Sequence, residues 1–401
     1  MKARYTMRAT HCTRASFWIV TATALLCVAQ SAMGWTWQIE TVCAPVSSDG
    51  GTCVVLDNEY RPRIAYVSSD RRQLMHAAWT GTSWSIEAVG GLAGYVRWPS
   101  LKVGRDDCSR IAYHAYYTTP YQTVRYAVQD EGQWATVDID GPSSGFVPSL
   151  ALDENDLPRI SYSNAAGGNI DSIKFATYQG GDWERQWVLG NVGACSTSLA
   201  LDSAGNPKVA YAASPNTLGY AVWNGASWDH QTLDGASWVG WDPPPAMVLD
   251  AANNPHILYC DDVSRRTGDP YAADALKYAH WDGSSWHIET VDDYVLNDCG
   301  LALRIGSDGR PRIAYGDWGR AIKYTTGQWD EMSQSWEWET QTVGGELGSG
   351  ISMALDAHDH PWISYFRGAD LNNLKLAYVP EPTTLLMLGL GGLALVRRRR
   401  E

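Results

Sequence analysis

Residues 198–234 read SLALDSAGNPKVAYAASPNTLGYAVWNGASWDHQTLD. Four short β-prone runs stand out: SLAL, KVAYA, LGYAVW and WDHQTL. Asp202–Pro207 separates the first two and Asn224-Gly225 the last two, both turn-forming by composition. The same text recurs along the chain, so its period decides the fold class before any single residue is weighed.

The second run of each copy ends in a tyrosine: Tyr66, Tyr113, Tyr162, Tyr211, Tyr259, Tyr315 and Tyr365. The intervals are 47, 49, 49, 48, 56 and 50 residues. Seven four-stranded units at this spacing predict an all-β chain, a seven-bladed β-propeller. The third run starts at Leu74, Val124, Ile173, Leu218, Leu276, Ile322 and Leu374, and in the first five copies a Trp opens the fourth run ten residues later. In the sixth copy four extra residues push that residue to Trp336.

The seventh copy lacks a fourth run. Its text stands at the other end of the chain, where Trp35–Val42 (WTWQIETV) matches Trp336–Val343 (WEWETQTV). The last blade is therefore expected to be closed by the N-terminal strand, which removes the open ends of the array. The expected divisions are a leader over 1–34, the propeller over 35–379 and a C-terminal signal over 380–401.

The turns between first and second runs follow Asp-x-x-(Gly/Asn/Asp)-x-Pro at Asp153, Asp202, Asp250 and Asp356. The Asp is placed to accept from backbone amides, and the residue three positions on needs positive φ. Tyr60 occupies that place in the first copy and does not fit the rule. These aspartates also invite a calcium reading, but the turn needs no ion, so no metal or other cofactor is expected.

The leader has a basic start (Lys2, Arg4, Arg8, Arg14), an apolar stretch over Phe17–Ala29 and Ala32-Met33-Gly34 as a cleavage site. Residues 1–34 and 380–401 together hold eight Lys/Arg and two Asp/Glu, leaving a body with 23 basic and 42 acidic residues, net −19. Such a surface excludes nucleic acid and repels anionic membranes. Of the body's six cysteines, Cys43 and Cys53 flank one loop and form the expected disulfide.

At the other end, Val379-Pro380-Glu381-Pro382 precedes a 14-residue apolar run, Thr383–Val396, and then Arg397–Arg400. The run is short for a stable span, and the arginines hold its end in the cytoplasm. Those three parts, in that order, resemble the PEP-CTERM sorting signal of Gram-negative-type bacteria. The resemblance implies an exosortase-type processing enzyme as partner, cutting near Pro380, Glu381 and Pro382. It also implies transient inner-membrane anchoring through 383–396 and delivery to the cell surface or extracellular matrix.

Residues common to all copies maintain the fold, so function is sought where copies deviate on one face. The connections from fourth to first and from second to third runs share a face in propellers. Off-pattern residues there include Tyr95, Arg97, Tyr116, Tyr117, Trp238, Arg265 and Arg266. The candidate ligand residues are Trp98, Trp241, Asp261, Asp262, Asp317 and Trp318. The fifth copy is the outlier, with 17 residues from Tyr259 to Leu276 against 7 to 11 elsewhere. Exposed Trp beside carboxylates suits sugar binding, the ring stacking on the pyranose while carboxylates accept from hydroxyls. The plainer reading makes Trp98 and Trp241 a plug at the wide end of the ring.

Enzyme readings rest on less. The hairpin Asp282-Gly283-Ser284-Ser285-Trp286 is one residue shorter than the Asp-box of sialidases, which share the architecture. Asp261, Asp262 or Asp317 could act as acid and base, and no phosphate loop, Gly-x-Ser-x-Gly or His-Glu-x-x-His occurs. The expectation is a non-enzymatic propeller that binds an exopolysaccharide or other surface component. An extracellular glycosidase or polysaccharide lyase, and a spacer without ligand, are the alternatives.

Overall fold

In the computed structural model the described residues are 35–380, apart from 48–49, 119–120, 142–143, 167–168, 191–192, 194–195, 214–216, 236–238, 240–242, 270–272, 296–299, 345–349 and 368–372. The chain divides into two units: the propeller, Ile39–Tyr378, and the chain ends, Met1–Gln38 with Val379–Glu401. Of the ends, 35–38 and 379–380 are described, and there the Trp35 and Trp37 rings meet edge to face at 6.3 Å.

Strand β1 (Gln38–Cys43) comes first in the chain. Blade 1 follows as β2 (Cys53–Leu56), β3 (Pro62–Val67), β4 (Leu74–Trp79) and β5 (Trp84–Val89). Blade 2 is β6 (Tyr95–Val103), β7 (Ser109–Thr118), β8 (Tyr121–Asp130) and β9 (Gln133–Asp138). Blade 3 is β10 (Ser144–Leu152), β11 (Pro158–Ala166), β12 (Asn169–Gln179) and β13 (Asp182–Leu189). Blade 4 is β14 (Ser196–Leu201), β15 (Pro207–Ala213), β16 (Thr217–Trp223) and β17 (Trp228–Asp234). Blade 5 is β18 (Ala246–Leu249), β19 (Pro255–Asp261), β20 (Asp274–Trp281) and β21 (Trp286–Val295), with helix α1 (Val263–Thr267) between β19 and β20. Blade 6 is β22 (Leu301–Ile305), β23 (Pro311–Gly316), β24 (Ile322–Asp330) and β25 (Ser335–Gly344). Blade 7 is β26 (Ser352–Leu355), β27 (Pro361–Arg367) and β28 (Asn373–Tyr378), completed by β1 in the order β1-β28-β27-β26.

The ring closes through its inner strands, each against the next, with β26 against β2. A side-chain clamp recurs at these seams. Ser100 Oγ accepts from Leu150 N, Ser149 Oγ from Leu199 N and Ser198 Oγ from Met247 N, each at 3.0 Å. Ser352 Oγ accepts from Val54 N at 3.1 Å across the closing seam. Cys53 does the same in blade 1, its Sγ accepting from Leu101 N at 3.3 Å. Each such bond contributes about 1 kcal/mol. Blades 5 and 6 carry Ala246 and Ala302 at the clamp position, so their seams lack it.

The repeated aromatics pack between blades. Tyr220 meets Trp286 at 5.3 Å, Phe175 meets Trp228 at 5.6 Å and Tyr126 meets Trp183 at 5.5 Å, each edge to face. Leu101 and Ile111 are fully buried with Leu74 and Tyr113 between blades 1 and 2, and removal of such side chains from water stabilises by about 1.5–3 kcal/mol each. Tyrosine hydroxyls bind carboxylates of the preceding blade: Tyr162 to Asp140 at 2.8 Å, Tyr259 to Asp234 at 2.7 Å and Tyr315 to Asp292 at 2.6 Å.

The aspartate turns behave as their composition requires. Asp202 Oδ1 accepts from the amides of Ala204 and Asn206 at 3.0 and 2.8 Å, and Asp250 Oδ1 from those of Ala252 and Asn254 at 2.8 and 2.7 Å. Asp156, Gly205, Asn253 and Asp359 all have positive φ. Tyr60 adopts the same conformation, φ 60°, with its side chain 52 % exposed. The turn imposes the backbone and solvent accommodates the ring, at a strain of about 1 kcal/mol.

The expected Cys43–Cys53 disulfide is not formed: both are free thiols. Cys43 lies on the outermost strand of blade 7, near Tyr66, whereas Cys53 faces Leu101 on the inner strand of blade 1. The short loop hid the fact that the chain crosses from the rim to the centre within it.

Candidate functional site

Connections that carry the deviations do share a face. Ala93 and Val96 amides, leading into blade 2, donate to the carbonyls of Arg72 and Arg71 in the β3–β4 connection, at 2.9 and 2.8 Å. Likewise Val295 bridges to Asp317, and Trp318 N donates to Tyr294 O at 3.1 Å. The candidates fall into two groups on it.

The blade 2 group is aromatic and basic. Trp98, half-buried, has φ 51°, its amide donating to Gly50 O at 2.8 Å. The Arg97 guanidinium lies 4.7 Å from the Tyr95 ring and 5.3 Å from Trp98, an arrangement that desolvates one face of the cation, and its Nε donates to the Tyr95 hydroxyl. Arg125 lies 5.8 Å from the Tyr117 ring, donates to its hydroxyl at 2.6 Å and pairs with Asp138 at 2.7 Å. Behind Trp98, at 5.6 Å, sits His114, stacked on Phe146 at 4.9 Å. Burial, and then the charge of Arg97, push the His114 pKa down to about 4, so the imidazole is neutral.

The blade 5 group is a buried ion-pair network. Asp261, 1 % exposed, takes Arg266 Nε on both oxygens at 3.1 Å and lies 3.7 Å from Lys277 Nζ. Lys277 also reaches Asp234 at 3.5 Å, the acceptor of Tyr259. Asp262 opens α1, its carboxylate accepting from Ser264 Oγ at 2.7 Å and its carbonyl from Arg266 N at 3.1 Å. Asp274 accepts from Val263 N at 3.0 Å; burial, and then the neighbouring Asp262, push its pKa up to about 6. Val295 pairs with Asp274 and bridges to Asp317, so β21 carries the network into blade 6. Asp317 accepts from Ala321 N at 2.7 Å and pairs with Lys323 at 3.3 Å, while Trp318 is 38 % exposed.

Asp261, Asp262, Asp317 and Trp318 therefore belong to one neighbourhood around blade 5, and Trp98 to another, on blade 2. Trp241, Glu381 and Pro382 lie outside the described residues. The residues missed from sequence are His114 and Asp274. Both stand at regular strand positions, and the available signal was the lone His beside the repeated Tyr113.

Among the described residues, Asp356, His358 and His360 offer ligand atoms within 4.8 Å of one another. An N, N, O donor set suits zinc or copper rather than calcium. Asp356 Oδ1 already accepts from both His358 N and His360 N, at 2.8 and 2.9 Å, as the other turn aspartates do. A hollow of about 490 Å³ lies among the turns of blades 2 to 4, lined by Arg105, Asp153 and Asp202. Its carboxylates are likewise engaged by their own turn amides. No helix among the described residues is long and apolar enough to cross a membrane, and the run 383–396 lies outside them.

In comparison with known proteins, no curated protein matches the chain. Among solved structures, it is similar to a polysaccharide lyase, a PL25 ulvan lyase bound to -[GlcA(1-4)Rha3S]-, with TM-score 0.60 and 12 % identity over 86 % of this chain and 94 % of that one. A protein from Dyadobacter fermentans matches with TM-score 0.51 and 8 % identity over 85 % and 99 %. The Aleuria aurantia lectin matches with TM-score 0.48 and 14 % identity over 76 % and 98 %. At these identities the likeness is one of fold. Residues 379–400 match the PEP-CTERM protein-sorting motif, which implies export and processing by an exosortase. The chain is a seven-bladed propeller, closed by its N-terminal strand, that carries a PEP-CTERM sorting motif at its C-terminus.

Proposed function

We propose that this is a surface or matrix propeller that binds a polysaccharide through its loop face without cleaving it. Residues 1–34 act as the export leader, 383–396 as a transient inner-membrane anchor in a Gram-negative-type cell, and the exosortase releases the body. The observation that carries the binding reading is the blade 2 platform: Arg97 held against Tyr95 and Trp98 on the loop side. Rings supply a stacking surface, and a guanidinium beside them recognises the carboxylate or sulfate of an acidic sugar. In a body of net charge −19, such local cations give orientation rather than general attraction.

A second reading, elimination of that polysaccharide, has one observation in its favour. His114 stands opposite Arg97 in the β6–β7 register and is neutral. Both its ring nitrogens are buried behind Trp98, so only with that ring displaced could it take the proton beside a uronate carboxylate as Arg97 offsets the charge. The glycosidic C–O bond would break as the C=C bond forms, with the leaving oxygen taking up a proton. Hydrolysis has less support, because Asp261 already serves Arg266 and Lys277.

The test is a glycan array with the full chain, run beside assays for reducing ends and for unsaturated product. Binding without product, lost in Trp98→Ala and Arg97→Ala, is expected. Product abolished by His114→Ala would replace binding with elimination; silence in every assay would leave a spacer. Intact mass of the mature protein should lack 1–34 and Arg397–Arg400.

A further inference from the structure

Blade 5 departs from the repeat at the opposite end of its strands as well. His256, His280 and His287 stand directly opposite one another on β19, β20 and β21. Their rings stack, 6.1 Å apart at 12° for the first pair and 5.2 Å at 22° for the second. Blade 4 has Lys208, Val222 and Asp229 at the same positions, and blade 1 has Arg63, Ala78 and Ser85. The imidazole ladder is therefore nothing the blade fold requires.

Its two ends are engaged. His256 hydrogen-bonds the Tyr278 hydroxyl and lies 3.6 Å from Asp250. His287 Nε2 lies 2.7 Å from Asp282 and 3.1 Å from Ser285 Oγ. The middle is not: His280 is 5 % exposed, and its Nδ1 is buried without a hydrogen-bond partner. Burial and the two neighbouring imidazoles push its pKa down to about 4, so it is neutral. An unmet polar atom in such a place is destabilising, and a partner that meets it is favoured.

His280 also forms a wall of a cavity of about 260 Å³. Asp282 and His287 on the β20–β21 hairpin and Trp329, Gln334 and Trp336 on the β24–β25 hairpin complete it. The four extra residues of blade 6 make this second hairpin longer than its counterparts and supply Gln334. Trp329 and Trp336 stand edge to face against His280, at 5.9 and 6.0 Å. Trp336 Nε1 is a second buried polar atom without a partner. Of its counterparts, Trp84 and Trp286 donate to Glu40 and Gln231 of the preceding blade, while Trp134 and Trp228 are also buried without a partner. Trp336 is the one whose neighbouring acceptor, Glu289, takes its amide instead, at 3.0 Å, and whose indole lines a cavity.

We propose that this cavity is a binding site for one neutral, hydroxylated ring: a single sugar unit. A hydroxyl both donates and accepts, so it can satisfy His280 Nδ1 in either tautomer and the donor-only Trp336 Nε1. The indoles offer the apolar surface that a pyranose C–H face needs. An anion would meet Asp282, and a cation would compete with His287 for that carboxylate. The volume fits one ring rather than a chain. The site lies at the strand ends remote from the loop face and does not depend on the blade 2 platform.

Saturation-transfer NMR on the full chain, with methyl glycosides of hexoses, 6-deoxyhexoses and pentoses as probes, tests the assignment. At least one glycoside should show transfer, and Trp329→Ala and His280→Ala should each weaken it about tenfold or more, with Trp98→Ala unaffected. Because His280 is buried, Gln334→Ala on the exposed rim is the second probe, expected to weaken binding at an unchanged melting temperature. Lack of transfer from every glycoside would overturn the proposal, as would transfer that survives in both Trp329→Ala and Gln334→Ala.

Discussion

Blades 4 and 5 are neighbours with the same strand plan, and they use the repeat differently. In blade 4 the Tyr211 ring covers Gly219, where an added Cβ would come 2.2 Å from the ring. Ser198 of blade 4 clamps blade 5. In blade 5 the position of Gly219 is Lys277, which joins Asp234, Asp261 and Tyr259 in one network. The clamp position is Ala246, and the β19–β20 connection carries α1 and its acidic surroundings. A regular blade commits its polar groups to its seams; blade 5 gathers them into a network and a cavity wall.

The largest expected effect breaks that network. Asp234→Ala withdraws the carboxylate shared by Tyr259 and Lys277 and should cost about 3 kcal/mol in urea unfolding, whereas Tyr211→Phe in blade 4 should change stability by less than about 0.5 kcal/mol. Equal costs would erase the contrast between the blades.

Gly219→Ala should cost about 2 kcal/mol by overpacking against Tyr211, read as a lower urea midpoint at unchanged slope. A neutral result would mean that the ring moves freely and that blade 4 is no more tightly specified than blade 5.

The third effect is a pH dependence. The Asp274 pKa rises from 3.8 to about 6 on folding, so the folded state holds more protons between those values. Its stabilising contribution is complete below 3.8 and is lost as pH rises through about 6. His114 and His280, held down to about 4 from 6.5, act oppositely: their contribution is present above 6.5 and is lost as pH falls through about 4. Asp274→Asn should therefore stabilise the protein at pH 7 by about 1–2 kcal/mol and leave a steeper loss towards acid. A variant with the parent's pH profile would remove Asp274 from the account.

The smallest test is constructive. Ala246→Ser should install the missing clamp towards Leu303 and gain up to about 1 kcal/mol, with Ser198→Ala losing about as much. If the added serine gains nothing, the seam between blades 5 and 6 differs in backbone as well as in side chain.

Much of this molecule was legible as text. The seven blades, the closure by β1 and the aspartate turns follow from the recurrence of local patterns, because strand period, turn chemistry and hairpin length are properties of a few adjacent residues. Even Tyr60 obeys its turn once the turn is seen to impose the conformation. The candidate site was legible only as a list of deviations. Asp261, Asp262, Asp317 and Trp318 come together because β21 links two loops some 50 residues apart, and Trp98 does not join them. Asp274 and His280 occupy ordinary strand positions, and their character depends on what the register sets opposite.

The sequence by itself determined the repeat, its number and its closure, since each copy repeats the same short-range physical constraints. Tertiary structure alone decided the partners. It separated Cys43 at the rim from Cys53 at the centre, stacked three histidines spaced 24 and 7 residues apart, and engaged Asp261 with Arg266 and Lys277. Burial, charge and hydrogen bonding at those places depend on which strands and blades become neighbours, and that information is not carried by any one stretch of chain.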